Sequence, residues 1–169
     1  MILKKGMVKL SENQLVITKH QKLEEWNIRK KELAKNWIEN KQSLRGRGIV
    51  QGGIYLCELG ENLGSEQNSN IGEDRPVIVL SNNTINSTGE NIIVAPLSKT
   101  LKFRKGTNIP KYRSHYFLFT KKYSFLTYDS AIKAEEMKAV SKVRLNKKLG
   151  EISKEDFKRI ITRVNWTIS

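Results

Sequence analysis

Three short stretches hold the residues whose types and spacing could do chemistry. They are Gly64-Ser65-Glu66-Gln67, then Arg75-Pro76 heading the apolar run Val77-Ile78-Val79-Leu80, then Ile93-Val94-Ala95-Pro96-Leu97-Ser98-Lys99. Two strand-like runs thus carry an acid-amide pair, an arginine and a hydroxyl-lysine pair to their ends. That set handles phosphate. Arginine is a fixed, always charged donor fork suited to phosphate oxygens, and a hydroxyl or ammonium nearby adds a second donor. Arg75 precedes a proline, which biases it towards extended backbone at a strand start, and strand ends are where loops gather into a site. The plainer alternatives are a salt bridge from Arg75 to Asp74 or Glu73, an ordinary turn role for Ser98 and a solvated loop carboxylate for Glu66.

With Tyr55 in the strand before, the series Gly-Ser-Glu-Gln, loop, Arg-Pro-Val, Asn-rich turn and strand ending in a hydroxyl residue resembles the MazF/PemK family of toxin endoribonucleases. The resemblance implies an SH3-like barrel for residues 47–169, with Arg75 and Ser98 catalytic. Ser98 stands where the family has a threonine, one methyl group short with the hydroxyl kept. Ser65, Glu66 and Gln67 match the family's loop between the first two strands, which implies substrate contacts and, for Glu66, a proton-transfer or positioning role. The chain departs from the pattern in two places. Seven residues, Asn68 to Asp74, separate Gln67 from Arg75, a longer loop than usual, and Glu136 and Lys138 stand where the family has Gln and Arg. Lys99 and Thr100, just after Ala-Pro-Leu, also resemble the ToxN group, whose antitoxin is an RNA.

Other kinds of chemistry lack their residues. His20 and His115 are the only histidines, and there is no His-x-x-x-His, carboxylate triplet or Gly-rich loop ahead of a lysine, so neither a metal nor a cofactor is expected. RNA can supply its own nucleophile, the 2′-hydroxyl. A protein then has only to orient it, stabilise charge on the phosphate and help the 5′-oxygen leave. Glu66 is the one carboxylate nominated as base.

The charge balance fits a polyanionic partner. The chain carries a formal +14 over 169 residues, which attracts nucleic acid by counterion release and long-range steering. From Asn91 to Tyr128 there are eight basic residues and no acidic one, interleaved with Phe103, Tyr112, Tyr116, Phe117, Phe119, Tyr123 and Phe125. Stacking on aromatics with phosphate neutralisation grips single strands; the bland reading is a solvated basic face with the aromatics turned inward. The RNA-binding candidates are Tyr55, Ser65, Gln67, Lys99, Thr100, Lys102, Arg104, Lys105 and His115. The apolar runs fall far short of the roughly 20 residues of a membrane helix, and lysines at 4, 5 and 9 interrupt Met1 to Leu10, so a cytoplasmic protein without a targeting segment is expected. Cys57, the single cysteine, rules out an internal disulfide.

The elements that must position these residues divide at Leu44 to Gly48, giving an N-terminal helical extension (1–46) and a barrel domain (47–169). Ser11 and Gln14 form a capping-box pattern, and Leu23, Trp26, Leu33 and Trp37, with Lys30 in the vacant position, predict a helix over 12–41 with one narrow apolar stripe. Its own barrel, a second copy or an antitoxin could cover that stripe. Ile49-Val50, Ile54–Cys57, Val77–Leu80, Ile92–Leu97, Tyr116–Phe119 and Ser130–Met137 read as short strands of a small, partly closed barrel. Ser153 caps a last helix whose apolar face is Phe157, Ile160, Ile161 and Val164. The expected fold class is mainly β with helices. The expected activity is metal-independent cleavage of single-stranded RNA at specific sequences by 2′-hydroxyl attack. The expected partners are an acidic protein or structured RNA antitoxin, in a homodimer or toxin-antitoxin hetero-oligomer, with no membrane. A gyrase-poisoning toxin of the same barrel and a basic RNA-binding module are the rival readings, and both leave RNA uncut.

Overall fold

Ser11 opens the first helix, α1 (Glu12–Glu39), with the reciprocal box its spacing predicts: the Ser11 hydroxyl accepts from the Gln14 N–H at 3.3 Å and the Gln14 side-chain oxygen accepts from the Ser11 N–H at 2.8 Å. The computed structural model describes residues 11–70 and 72–169, so Met1 to Leu10 with its interrupting lysines lies outside the described residues. At Asn40, whose side chain turns back to Asn36, the helix stops, two residues short of the span expected over 12–41, and a short α2 (Lys41–Gly46) follows, so the stretch read as a linker from Leu44 to Gly48 is helical as far as Gly46. Trp26 and Leu33 are buried against Val143, with Trp37 and Leu44 beside them. The chain's own body therefore covers the stripe, while Lys30 stays exposed.

Seven antiparallel strands follow: β1 (Gly53–Cys57), β2 (Arg75–Val79), β3 (Asn91–Ser98), β4 (His115–Leu118), β5 (Ser130–Lys133), β6 (Lys138–Ser141) and β7 (Leu145–Glu151). Their order is β4-β5-β3-β2-β1-β7, with β6 on β3. The spine is β3: one edge takes β2, and the other is shared by β6 along Asn91 to Val94 and by β5 at Leu97 and Ser98. Neither end strand, β4 nor β7, pairs with the other, so the sheet is not closed. The mainly β, helix-flanked class holds.

Alternation splits the strands' side chains into two cores. Ile54, Ile78, Ala95 and Leu97 face the C-terminal helix, α4 (Lys154–Ile168), through Ile160 and Val164. Tyr55, Cys57, Val77, Val79, Ile92 and Val94 face the other way, onto Val140 and Leu145. Because both faces are covered, Val77 to Leu80 reads as a continuous apolar run. Ile49-Val50 is not a strand: it leads into the turn at Gly52 (φ 77°), although Ile49 is buried in the second core. The strand expected over Ser130–Met137 ends at Lys133, where Ala134–Glu136 forms a 3-10 turn before β6. The Asn-rich turn holds a one-and-a-half-turn helix, α3 (Asn83–Thr88), capped by Asn82.

A buried carboxylate fastens α4 to the body. Asp156 is 4% exposed and accepts from Tyr116 Oη at 2.9 Å, Tyr123 Oη at 2.6 Å and Lys122 Nζ at 2.8 Å. Burial raises its pKa, but the hydrogen bonds from Lys122, Tyr123 and Tyr116 outweigh that and hold it below the ordinary carboxylate value. A carboxyl whose pKa is lower when folded contributes stability that is complete above its unfolded pKa of about 3.9 and is lost as pH falls through the folded value. Asp156→Ala should therefore cost about 2–3 kcal/mol in urea unfolding at pH 7, since it strands the buried Tyr123 hydroxyl and the partly buried Tyr116 hydroxyl. The gap from wild type should narrow on acidification below about pH 4; a gap that stays constant would mean the ionised carboxylate is not what holds the three donors.

Candidate active site

The antiparallel register that pairs Val77 with Pro96 brings the first residue of β2, Arg75, opposite the last residue of β3, Ser98. Both open onto a cavity of about 810 Å³ at that end of the sheet. The β1–β2 loop contributes Ser65, Glu66 and Gln67 to its wall, and the segment after β3 contributes Lys99, Thr100 and Lys102. Tyr112 and His115 enter from the β4 side, and Lys133, Glu135, Glu136 and Lys138 from the turn between β5 and β6.

Arg75 is half-buried and held by neutral acceptors. Its Nε donates to the Asn68 carbonyl and its Nη1 to the Leu97 carbonyl at 3.2 Å. Burial lowers its pKa while the Glu136 charge pulls the other way, and a guanidinium keeps its charge in either case. The salt bridge weighed as an alternative does not form: Asp74 accepts from Asn146 Nδ2 at 2.7 Å and Glu73 from Asn70 Nδ2 at 2.7 Å. Ser98 is 7% exposed, and its Oγ accepts from the Thr100 N–H at 3.3 Å, which leaves the hydroxyl hydrogen free to donate. It is a turn residue and a cavity residue at once.

Glu136 organises the loop wall. Its Oε2 accepts from the Gln67 N–H at 2.8 Å, its Oε1 from Gln67 Nε2 at 3.3 Å, and Lys133 Nζ lies 3.0 Å from Oε1. Glu66, one residue away, is exposed at the loop tip. His115 is 3% exposed with Nε2 2.7 Å from Glu135 Oε1, and Nδ1 is buried without a partner. It lines the cavity with its ring held on that carboxylate. Burial raises the Glu135 pKa, and hydrogen bonds from Ser114, the backbone and His115 bring it below the ordinary value. Glu135 and Lys133 are absent from the residues singled out by sequence, where the only signal is the charge cluster Lys133-Ala134-Glu135-Glu136 closing a strand, whereas Tyr112 is one of the aromatics interleaved with the basic residues.

Three candidates lie elsewhere. Tyr55 is 2% exposed in the second core, where its hydroxyl accepts from the Val50 N–H at 3.2 Å, so the RNA contact expected of it is corrected to a packing role. Arg104 and Lys105 lie outside the cavity, on a basic arm pinned by Arg104 N–H to Ile109 carbonyl at 2.9 Å and Lys111 N–H to Lys102 carbonyl at 2.7 Å. The aromatics divide: Phe117 and Tyr123 turn inward, whereas Phe103, Tyr112 and Phe119 keep about two fifths of their surface exposed. Lys102 and Lys111 each place Nζ 5.6 Å from the Tyr112 ring, a cation–π pairing at the cavity mouth. Among the described residues no cluster of three or more His, Cys, Asp or Glu is placed to hold a metal ion, and no helix is long and apolar enough to cross a membrane. Cys57 is buried, which pushes its thiol up to about 12, far from a reactive thiolate.

Residues 50–168 match the family described as "PemK-like, MazF-like toxin of type II toxin-antitoxin system". The chain is 35% identical over 105 residues to Endoribonuclease MazF of Staphylococcus epidermidis, spanning 62% of this chain and 78% of that protein. Among solved structures it is similar in fold to MazF (Form-I) from Deinococcus radiodurans, with a TM-score of 0.56 and 15% identity over 72% of this chain and 97% of that one. It is also similar to an endoribonuclease in complex with its cognate antitoxin from Mycobacterial species, with a TM-score of 0.53 and 18% identity over 71% and 94%. The family match begins after α1 and α2.

Proposed function

Since the chain belongs to the PemK-like, MazF-like toxin family and is a toxin endoribonuclease of a toxin-antitoxin system, we propose that it cuts single-stranded RNA without a metal, through Arg75 and Ser98. The observation that carries this is Arg75 itself: a guanidinium fixed by two carbonyls, facing a serine hydroxyl across the wall of a basic cavity, with its charge left for a ligand. The 2′-oxygen of RNA bonds to phosphorus as the bond to the 5′-oxygen breaks. The 2′-hydroxyl proton goes to Glu66, which shares the cavity wall with the carboxylates of Glu135 and Glu136 and passes the proton on to solvent, and the departing 5′-oxygen takes its proton from solvent water. The products are a 2′,3′-cyclic phosphate and a 5′-hydroxyl. Arg75 and the Ser98 hydroxyl stabilise charge on the phosphate as it develops.

Residues 47–169 are the catalytic domain in this reading and 1–46 an extension to it. Lys99, Lys102, Arg104, Lys105 and Thr100 carry the backbone of the strand past the cavity, and Ser65 and Gln67 meet its bases. The protein works in the cytoplasm as a homodimer or in complex with its antitoxin. An acidic protein suits that antitoxin, because the chain's +14 charge complements it and the matched family is of type II. Incubation of the purified protein with a long mixed-sequence RNA in excess EDTA tests the reading: discrete cleavage products are expected, whereas intact RNA at every protein concentration would replace it with a non-catalytic toxin or binding module.

The basic arm gives a second measurable result. Neutralising Lys102, Arg104 and Lys105 together should weaken RNA binding across sequences and lower the slope of log K against log salt by about 0.7 for each phosphate no longer neutralised. Cut sites should persist, because phosphate contacts position a strand without reading it. Unchanged binding, or mapped ends at a new motif, would remove these residues from that role.

A further inference from the structure

The β1–β2 loop that carries Ser65, Glu66 and Gln67 into the cavity is closed at its stem by two bonds between Gly60 and Ser69: the Gly60 N–H donates to Ser69 Oγ at 2.9 Å and the Ser69 N–H to the Gly60 carbonyl at 3.0 Å. Nearer the tip, the Asn62 N–H donates to Asn68 Oδ1 and its side-chain amide to the Gln67 carbonyl, each at 2.8 Å. This self-bonded loop rests on α1, an element the family match does not include.

The contacts fall on one face of that helix, at positions separated by seven and three residues. Lys19 Nζ binds both the Glu61 carboxylate, whose side chain is 8% exposed, and the Asn62 carbonyl. The Trp26 indole lies flat on Gly60, where φ is 77° and a Cβ would sit 1.9 Å from Trp26 Cε2, so only glycine admits the ring there. Arg29 holds the Glu58 carboxylate through Nε at 2.8 Å and Nη2 at 2.9 Å. From the far side Arg144 stacks 5.2 Å from the Trp26 ring and donates to the Glu58 carbonyl at 3.2 Å. Each end of the loop's first limb is thereby tied to the helix.

We infer that α1 is part of the catalytic apparatus: Lys19 and Trp26 are positioning residues that hold the Ser65–Gln67 loop in the form that receives RNA. The inference rests on the nuclease reading for what the loop receives, but not for the brace. Glu136 holds Gln67 and Arg75 holds Asn68 at the second limb, so α1 is what ties the first limb, Glu58 to Asn62, and a limb left untied would sample conformations that each cost affinity in proportion to the fraction that cannot bind.

The experiment uses the full chain with Lys19→Ala, Trp26→Phe, Lys19→Arg as the conservative partner, and Ile28→Ala, at a 62% exposed position of the same helix, as the control. Hydrogen exchange at the Gly60 and Ser69 amides should quicken roughly five-fold in Lys19→Ala and Trp26→Phe, the effect of removing one charge-assisted or packing interaction, and stay at the wild-type rate in Lys19→Arg and Ile28→Ala. On a short RNA with one cut site, KM should rise by the same factor of roughly five with kcat little changed. Mere loss of folded protein would instead lower kcat and leave KM alone. Loop exchange identical to wild type in both variants would overturn the brace, whether or not the protein cuts RNA. A wild type that cuts no RNA would overturn the nuclease reading, with exchange still judging the brace.

Discussion

Arg75→Ala should lower RNA turnover by about 10² to 10³, the loss that follows removal of one preorganised donor aimed at developing charge. The size follows from how the side chain is held. Two carbonyls, Asn68 and Leu97, fix the guanidinium before RNA arrives, so no reorganisation is spent when charge appears on the phosphate, and no carboxylate binds it in a salt bridge among the described residues. Binding should fall much less, because Lys99 and Lys102 remain in the cavity wall. Arg75→Lys should recover only part of the loss, since an ammonium is a point charge without the planar fork. Single-turnover cleavage, with folding checked by circular dichroism, measures it. Equal rates for wild type and Arg75→Ala would take the arginine out of the chemistry.

Ser98→Ala should depress turnover by about 10², again as a lost donor, while Ser98→Thr keeps it. The Thr100 N–H occupies only one lone pair of Ser98 Oγ, and a threonine hydroxyl can take the same place. The comparison separates two roles that the sequence left open at this position. If position 98 acted through packing alone, at 7% exposure an added methyl would hurt at least as much as a removed hydroxyl. Threonine as damaging as alanine would therefore discard the donor role.

Local patterns made much of this legible. Ser11 with Gln14 and Ser153 with Asp156 announce helix starts because a cap is a three-residue event, and the Trp26–Leu33 and Ile160–Val164 stripes follow from helical period alone. Arg75 and Ser98 could be found because each ends an apolar run, and antiparallel pairing of adjacent runs does the rest. Strands β6 and β7 were hidden for the opposite reason. The Leu145–Glu151 stretch is an edge strand with lysines at 147 and 148, and charge on a sheet edge erases alternation while protecting the edge. Tyr55 was misplaced because β1 is covered on both faces, which period-two reasoning does not reveal. Glu135 gains its meaning from His115, twenty residues earlier, and α1 gains its meaning from Gly60, thirty-four residues after Trp26; such contacts are set by the fold, not by spacing.

The claim at the centre is that RNA's own 2′-hydroxyl is the nucleophile. A short RNA with one mapped cut site, incubated with the protein in EDTA, should give a 5′ fragment ending in a 2′,3′-cyclic phosphate and a 3′ fragment beginning with a 5′-hydroxyl. The same strand with deoxyribose at the single nucleotide 5′ to the cut should stay whole. Cleavage of the deoxy-substituted strand, or fragments carrying a 5′-phosphate, would contradict it.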